Sequence, residues 1–114
     1  MNKLVRDKIP EIMKNKKQNP KTVIIKNDSE YLSALNKKLI EEVNEYLESS
    51  SKDNSENTKY EIADILEVIE AICKLKKYNA DTIKDYKLKK KKEKGSFEKR
   101  ILLLLEKQPP KTTC

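Results

Sequence analysis

Two apolar stripes with helical spacing constrain this chain more than any other feature: Leu32, Leu35, Leu39, Val43 and Tyr46, then Ile62, Ile65, Leu66, Ile69, Ile72 and Cys73. Intervals of three and four residues line up along one side of an α-helix and do not fit the strict alternation of a half-buried strand. A helix with one apolar side must bury it against another element, so the two stripes are expected to face each other. Between them, residues 49–57 are Ser, Asn, Asp, Lys, Glu and Thr-flanking polar sequence without a periodic apolar position, which predicts a solvated loop joining two antiparallel helices. Asn27 or Asp28 is the expected cap of the first of these helices, which runs to about Leu47; the other spans about 58–77 and should be the centre of the core.

The flanking sequence extends the pattern. Asp7 is placed to cap a short N-terminal helix with Pro10 in its permissive first turn and Ile9, Ile12 and Met13 on one face, fraying near Asn19 and Pro20. Residues 22–26 (TVIIK) are rich in β-branched side chains and too few for a helix, so they read as an extended edge segment. A last helix is expected from about Asp81, with Ile83, Tyr86 and Leu88 inward, a lysine run over 87–94 that suits the helix dipole, and Gly95 as terminator. Residues 97–104 are then expected to pair with 22–26, with Phe97 in the core. The fold class is therefore all-α, a small bundle of about four helices with a minor two-stranded pairing, forming a single domain over 1–107 and a disordered tail over 108–114.

Composition narrows the function classes. A chain of 114 residues with 36% hydrophobic and 39% charged residues supports thin amphipathic helices rather than a deep mixed core, and a second copy of the chain is expected to complete the bundle. The net charge of +7 suits an anionic partner, whether nucleotide, nucleic acid or acidic lipid, although a lysine excess serves equally well as a solubilising surface. Cys73 falls in an apolar stripe and Cys114 at the end, with neither metal-ligand spacing nor a disulfide framework, which fits a reducing cytoplasm. With no secretory signal pattern and no apolar run longer than Ile101 to Leu105, a membrane location is not expected.

The chemistry-bearing feature is a pair of acidic clusters, Glu41, Glu42 and Glu45 on the second helix, Glu61 and Asp64 on the third. Residues three apart on a helix share a side, so Glu42 with Glu45, and Glu61 with Asp64, can each grip one cation. At 100° per residue Glu42 falls at the edge of the Leu35/Leu39/Tyr46 stripe and Glu61 inside the Ile65/Val68/Ile72 sector, where an uncompensated carboxylate is costly. Oxygen-only ligands favour Mg²⁺, with Mn²⁺ as substitute, and a hard ion that keeps its waters points to phosphoryl or nucleotidyl chemistry. The alternative is structural: solvated acidic faces, with Thr58 and Glu61 forming a capping box at a helix start.

The EExxE pattern at 41–45 followed by ExxD at 61–64 resembles the metal-binding signature of MazG-like, all-α nucleotide pyrophosphohydrolases. Residues 2–12 (NKLVRDKIPEI) and 95–101 (GSFEKRI) resemble the opening and closing motifs of a compact, house-cleaning, phosphoribosyl-ATP pyrophosphohydrolase-like branch, so the likeness covers nearly the whole chain. It implies hydrolysis of a nucleoside triphosphate, often a non-canonical one, to monophosphate and pyrophosphate. It also implies Glu42, Glu45, Glu61 and Asp64 as metal ligands, Glu41 as a ligand or orienter of water, and Lys38 as a phosphate contact. Arg6, Lys8, Lys99 and Arg100 are implied on the substrate side. Ser96 departs from the pattern, which has a second glycine there.

Two other classes fit the same sequence. One is a lysine-rich helical module whose 87–94 run tracks a nucleic-acid backbone, although it lacks interleaved aromatics. The other is a catalytically inactive oligomeric scaffold.

Overall fold

The computed structural model describes residues 2–52 and 55–105. It is all-helical, with α1 over Ile9–Asn15, α2 over Asp28–Ser51, α3 over Ser55–Lys76 and α4 over Ala80–Lys94. The chain divides into two compact units, Met1–Ala80 and Asp81–Cys114.

In the first unit α2 and α3 pack as an antiparallel hairpin. Ser49 and Thr58 share a hydroxyl hydrogen bond of 2.7 Å at the closed end, and Leu32 near the start of α2 and Leu75 near the end of α3 line one open pocket at the other. Asn27 caps α2 through its side-chain oxygen, which accepts from the Glu30 N–H at 2.9 Å. The most buried positions of α2, Leu35, Glu42 and Ser49, are spaced by seven, which is the seam of a helix pair packed in coiled-coil fashion. From α3 the buried Val68 and the half-buried Glu61 repeat the same interval.

That register corrects the expected core. The seam of α3 runs through Glu61, Ile65, Val68 and Ile72, whereas Ile62, Leu66 and Ile69 are turned out, 44%, 60% and 39% exposed. A single partner helix covers only a narrow strip, so a wide apolar stripe keeps one flank in solvent. The expected loop over 49–57 is also shorter, because α2 continues to Ser51 and α3 begins at Ser55. The hydroxyls of Ser50 and Ser51 donate to the carbonyls of Leu47 and Glu48, which lets serines extend the helix.

α1 begins with Pro10 in its first turn as expected, but Asp7 does not cap it. The Ile9 N–H already donates to the Arg6 carbonyl at 3.1 Å and Pro10 has no N–H to offer. The helix stops at Asn15, earlier than the expected fraying point. α1 and α3 end in the same way: Gln18 N–H donates to Met13 O and Tyr78 N–H to Cys73 O, with Lys17 and Lys77 in the left-handed region at φ 61° and 60°.

The second unit carries α4, which ends at Gly95 as expected, with φ 83° and its N–H donating to Lys91 O at 2.8 Å. Its apolar residues are not inward. Ile83, Tyr86 and Leu88 are exposed, and so is Phe97 at 95%. The expected pairing of 22–26 with 97–104 is not formed, since no strand occurs among the described residues. Val23 and Ile24 are 87% and 81% exposed, and a short extended segment without a ladder or a covered face has nothing to hold it as a strand. Ser96 avoids the positive-φ region, so a serine at this place carries no backbone strain, while Arg100 adopts φ 57°. The tail expected over 108–114, with Cys114, lies outside the described residues. No helix among the described residues is long and apolar enough to cross a membrane.

Candidate metal centre

The hairpin register carries two acids into the seam. Glu42 is 5% exposed on α2, one heptad after Leu35, at a position where helix packing favours an apolar side chain. Across the seam, α3 presents Glu61 and Asp64. Carboxylate oxygens of Glu42, Glu61 and Asp64 lie within 4.8 Å of one another, and those of Glu41, Glu42 and Glu45 form a second such trio. Glu42 is the member common to both. The four expected ligands are therefore not one square set but two overlapping groups, with Glu45 on the exposed side beside Glu41.

Thr58 does not start a helix. α3 begins at Ser55, so Thr58 and Glu61 sit inside it, and the Thr58 hydroxyl is engaged by Ser49. Glu61 consequently has no capping role at the start of α3.

Among the described residues, three cations form ion pairs with the cluster. Lys38 Nζ lies 3.2 Å from Glu42 Oε1 and 3.3 Å from Glu41 Oε2, Lys3 Nζ lies 3.7 Å from Glu41 Oε1, and Arg6 Nη2 donates to Asp64 Oδ1 at 2.6 Å. Among the described residues the acids of the two trios outnumber the cations paired with them. The cations also leave oxygens unserved: Glu42 Oε2 and Glu61 Oε2 are buried without a hydrogen-bond partner. Native interiors rarely tolerate such orphans unless an ion or water completes them. Burial, together with the neighbouring Glu45, pushes the Glu42 carboxyl above the usual range despite Lys38. For Lys38, burial works against the charge, but hydrogen bonds and attraction from Glu42 and Glu41 outweigh it and raise the ammonium.

Oxygen donors of this kind, with no histidine in the chain, suit a hard divalent cation. An open cleft of about 320 Å³ adjoins the centre, lined by Glu45, Glu61, Ser49, Asn57, Glu48 and Lys52. Its size is at the low end for a small-molecule site.

Of the residues expected on the substrate side, the structure brings Arg6 to the cluster. Lys8 is exposed and makes no ion pair among the described residues. Lys99 and Arg100 are exposed residues of the second unit, also without an ion pair among the described residues. Glu48 pairs with Lys52 at the wall of the cleft, and Glu70 pairs with Lys74 on the exposed side of α3. Lys3 was not singled out by sequence reasoning. Its signal was its place in the 2–12 motif beside Arg6, since nothing in its own spacing marks it.

No family model, curated protein or solved structure matches the chain. The likeness to MazG-like enzymes therefore rests on the motifs at 2–12, 41–45, 61–64 and 95–101.

Proposed function

We propose that this chain is a magnesium-dependent nucleotide pyrophosphohydrolase, converting nucleoside triphosphates, non-canonical ones included, to monophosphate and pyrophosphate. The observation that carries the reading is Glu42, 95% buried at a seam position, with one oxygen unpartnered and the carboxylates of Glu61 and Asp64 beside it. A fold that keeps an acid where an apolar residue packs better retains it for binding.

In this reading Glu42, Glu45, Glu61 and Asp64 hold Mg²⁺, with Mn²⁺ as substitute. When bound, the metal neutralises phosphate charge and makes water a better nucleophile. Glu41 stands at the outer side of the cluster, held between Lys3 and Lys38, where its carboxylate orients water. Lys38, 17% exposed and fixed on α2, offsets carboxylate charge and offers a donor to a phosphate oxygen. Arg6 and Lys8 complete the substrate side as donors to the polyphosphate; the same role for Lys99 and Arg100 rests on the resemblance of the 95–101 motif alone.

A second copy of the chain is the expected partner, because Ile62, Leu66 and Ile69 on α3, with Ile40 and Leu47 on α2, leave apolar flanks uncovered. The cytoplasm is the expected compartment, consistent with the free thiol of Cys73.

Pyrophosphate release from a panel of standard and modified nucleoside triphosphates, with and without Mg²⁺, tests the reading. Magnesium-dependent pyrophosphate matched by monophosphate, lost in Asp64→Asn, is expected; release of orthophosphate would place the cut at another bond. A second reading has one observation in its favour: Lys84, Lys87, Lys90, Lys91 and Lys94 fall on about a third of the circumference of the exposed α4, a basic face fit for a phosphate backbone. Silence across the nucleotide panel, with metal-free and salt-sensitive binding of DNA or RNA, would favour it.

A further inference from the structure

Arg6 is bonded to one of the very carboxylates that the metal reading requires. Its guanidinium donates to Asp64 Oδ1 at 2.6 Å, and Asp64 is one of the three acids whose oxygens lie within 4.8 Å of one another. Resting on the metal-centre reading above, we propose that Arg6 is a displaceable counter-ion: it holds Asp64 while no divalent cation is bound, and passes to a phosphate group of the nucleotide once a cation takes that carboxylate.

The cations of the cluster differ in how they are held. Lys38 is carried on α2, 17% exposed, and bridges Glu41 and Glu42, so its departure would leave two carboxylates uncompensated at once. Arg6 lies in the segment before α1 that has no regular structure, its side chain is 55% exposed, and Asp64 is 37% exposed. An ion pair so open to water contributes little and is readily exchanged for a stronger one. Nor is Arg6 what the cluster is built around, since Glu42 Oε2 and Glu61 Oε2 remain buried and unpartnered with Arg6 in place. A cation that satisfies those oxygens draws on Asp64 and repels the guanidinium at the same time. The freed side chain is a planar fork of donors matched to phosphate oxygens, on a segment already anchored at the rim of the site.

Lys3 belongs to the same segment and faces Glu41 at 3.7 Å, so the segment touches both acidic trios. Metal entry and release of residues 3–6 are thereby coupled: binding order becomes cation first, then polyphosphate.

The chain has two arginines, Arg6 and Arg100, so each guanidinium gives its own side-chain Nε–H resonance in ¹⁵N-labelled protein. Titration with Mg²⁺ alone is expected to shift the Arg6 signal and quicken its exchange with water, leaving Arg100 in place; pyrophosphate added next should shift Arg6 again. Arg6→Gln is expected to bind Mg²⁺ about two- to five-fold more tightly, the loss of one exposed competing pair, with Lys8→Gln unchanged. Equal tightening in both variants would assign the effect to net charge and overturn the exchange. Calorimetric Mg²⁺ binding with a motionless Arg6 signal would overturn the exchange while leaving the metal centre standing. An Arg6 that responds to Mg²⁺ but not to pyrophosphate would overturn the transfer to phosphate. Absence of any Mg²⁺ binding would remove the metal centre and this inference with it.

Discussion

Replacing Glu42 by leucine separates stability from function at a single position. Glu42 is 5% exposed and sits one heptad after Leu35, so a leucine there continues an apolar seam. The glutamate stem is already buried, which limits the added apolar gain to about 1 kcal/mol. Removing a buried, unpartnered acceptor returns about 1–3 kcal/mol. Against this stands the charge-assisted bond to Lys38, about 1.5–3 kcal/mol, partly retained because Lys38 keeps Glu41 at 3.3 Å. The net expectation is that Glu42→Leu is more stable than the parent by about 1 kcal/mol in EDTA, a rise of roughly 4–8 °C in Tm. Magnesium should reverse the order: at a hundred-fold excess over Kd the parent gains about 2.7 kcal/mol and the variant gains nothing. Urea unfolding with EDTA and with Mg²⁺ measures both. The sign with pH is also determined. The Glu42 carboxyl is raised above 4.5 by burial and by Glu45, so its contribution to metal-free stability is fully present below about pH 4.5 and is lost as pH rises through the folded value. The advantage of the leucine variant should therefore grow from pH 4.5 towards neutrality. A Glu42→Leu protein less stable than the parent by more than 1 kcal/mol in EDTA, or equally stabilised by Mg²⁺, would refute the reasoning.

Two further outcomes follow from the backbone and the surface. Lys77 closes α3 at φ 60°, so Lys77→Gly should stabilise by about 0.5–1 kcal/mol, read as a higher urea midpoint with an unchanged slope. Leu66 is 60% exposed in the middle of the outer stripe of α3, so Leu66→Glu should reduce the mass measured by light scattering to that of a single chain without loss of helicity; a parent that is already a monomer at micromolar concentration sinks this expectation.

Helix identity was legible wherever the apolar period was long or a cap was specific. The 3–4 spacing of Leu32, Leu35 and Leu39 marked α2, Asn27 marked its start, and Gly95 marked the end of α4. Local rules settle these features, because a helix face and an αL terminus depend on neighbours a turn away. The same rules misjudged Ser50 and Ser51, whose hydroxyls bond back to their own helix, and the β-branched segment at 22–26, whose strand character needs a ladder that no neighbour supplies.

The acids of the candidate site could be named from the sequence by type and spacing, but their environment could not. Whether Glu61 was a helix cap or a seam residue depended on where α3 begins, and whether Glu42 met Glu61 and Asp64 depended on the register of one helix against the other. Arg6 pairs with Asp64 across 58 residues of chain, a contact no local pattern encodes. The sequence by itself determined the helices and supplied the carboxylates, since period and caps are properties of a single helix. Only the tertiary structure decided which edge of each apolar stripe is covered, because a helix pair buries one narrow seam, and that choice placed Glu42 inside and left Ile62, Leu66 and Ile69 outside.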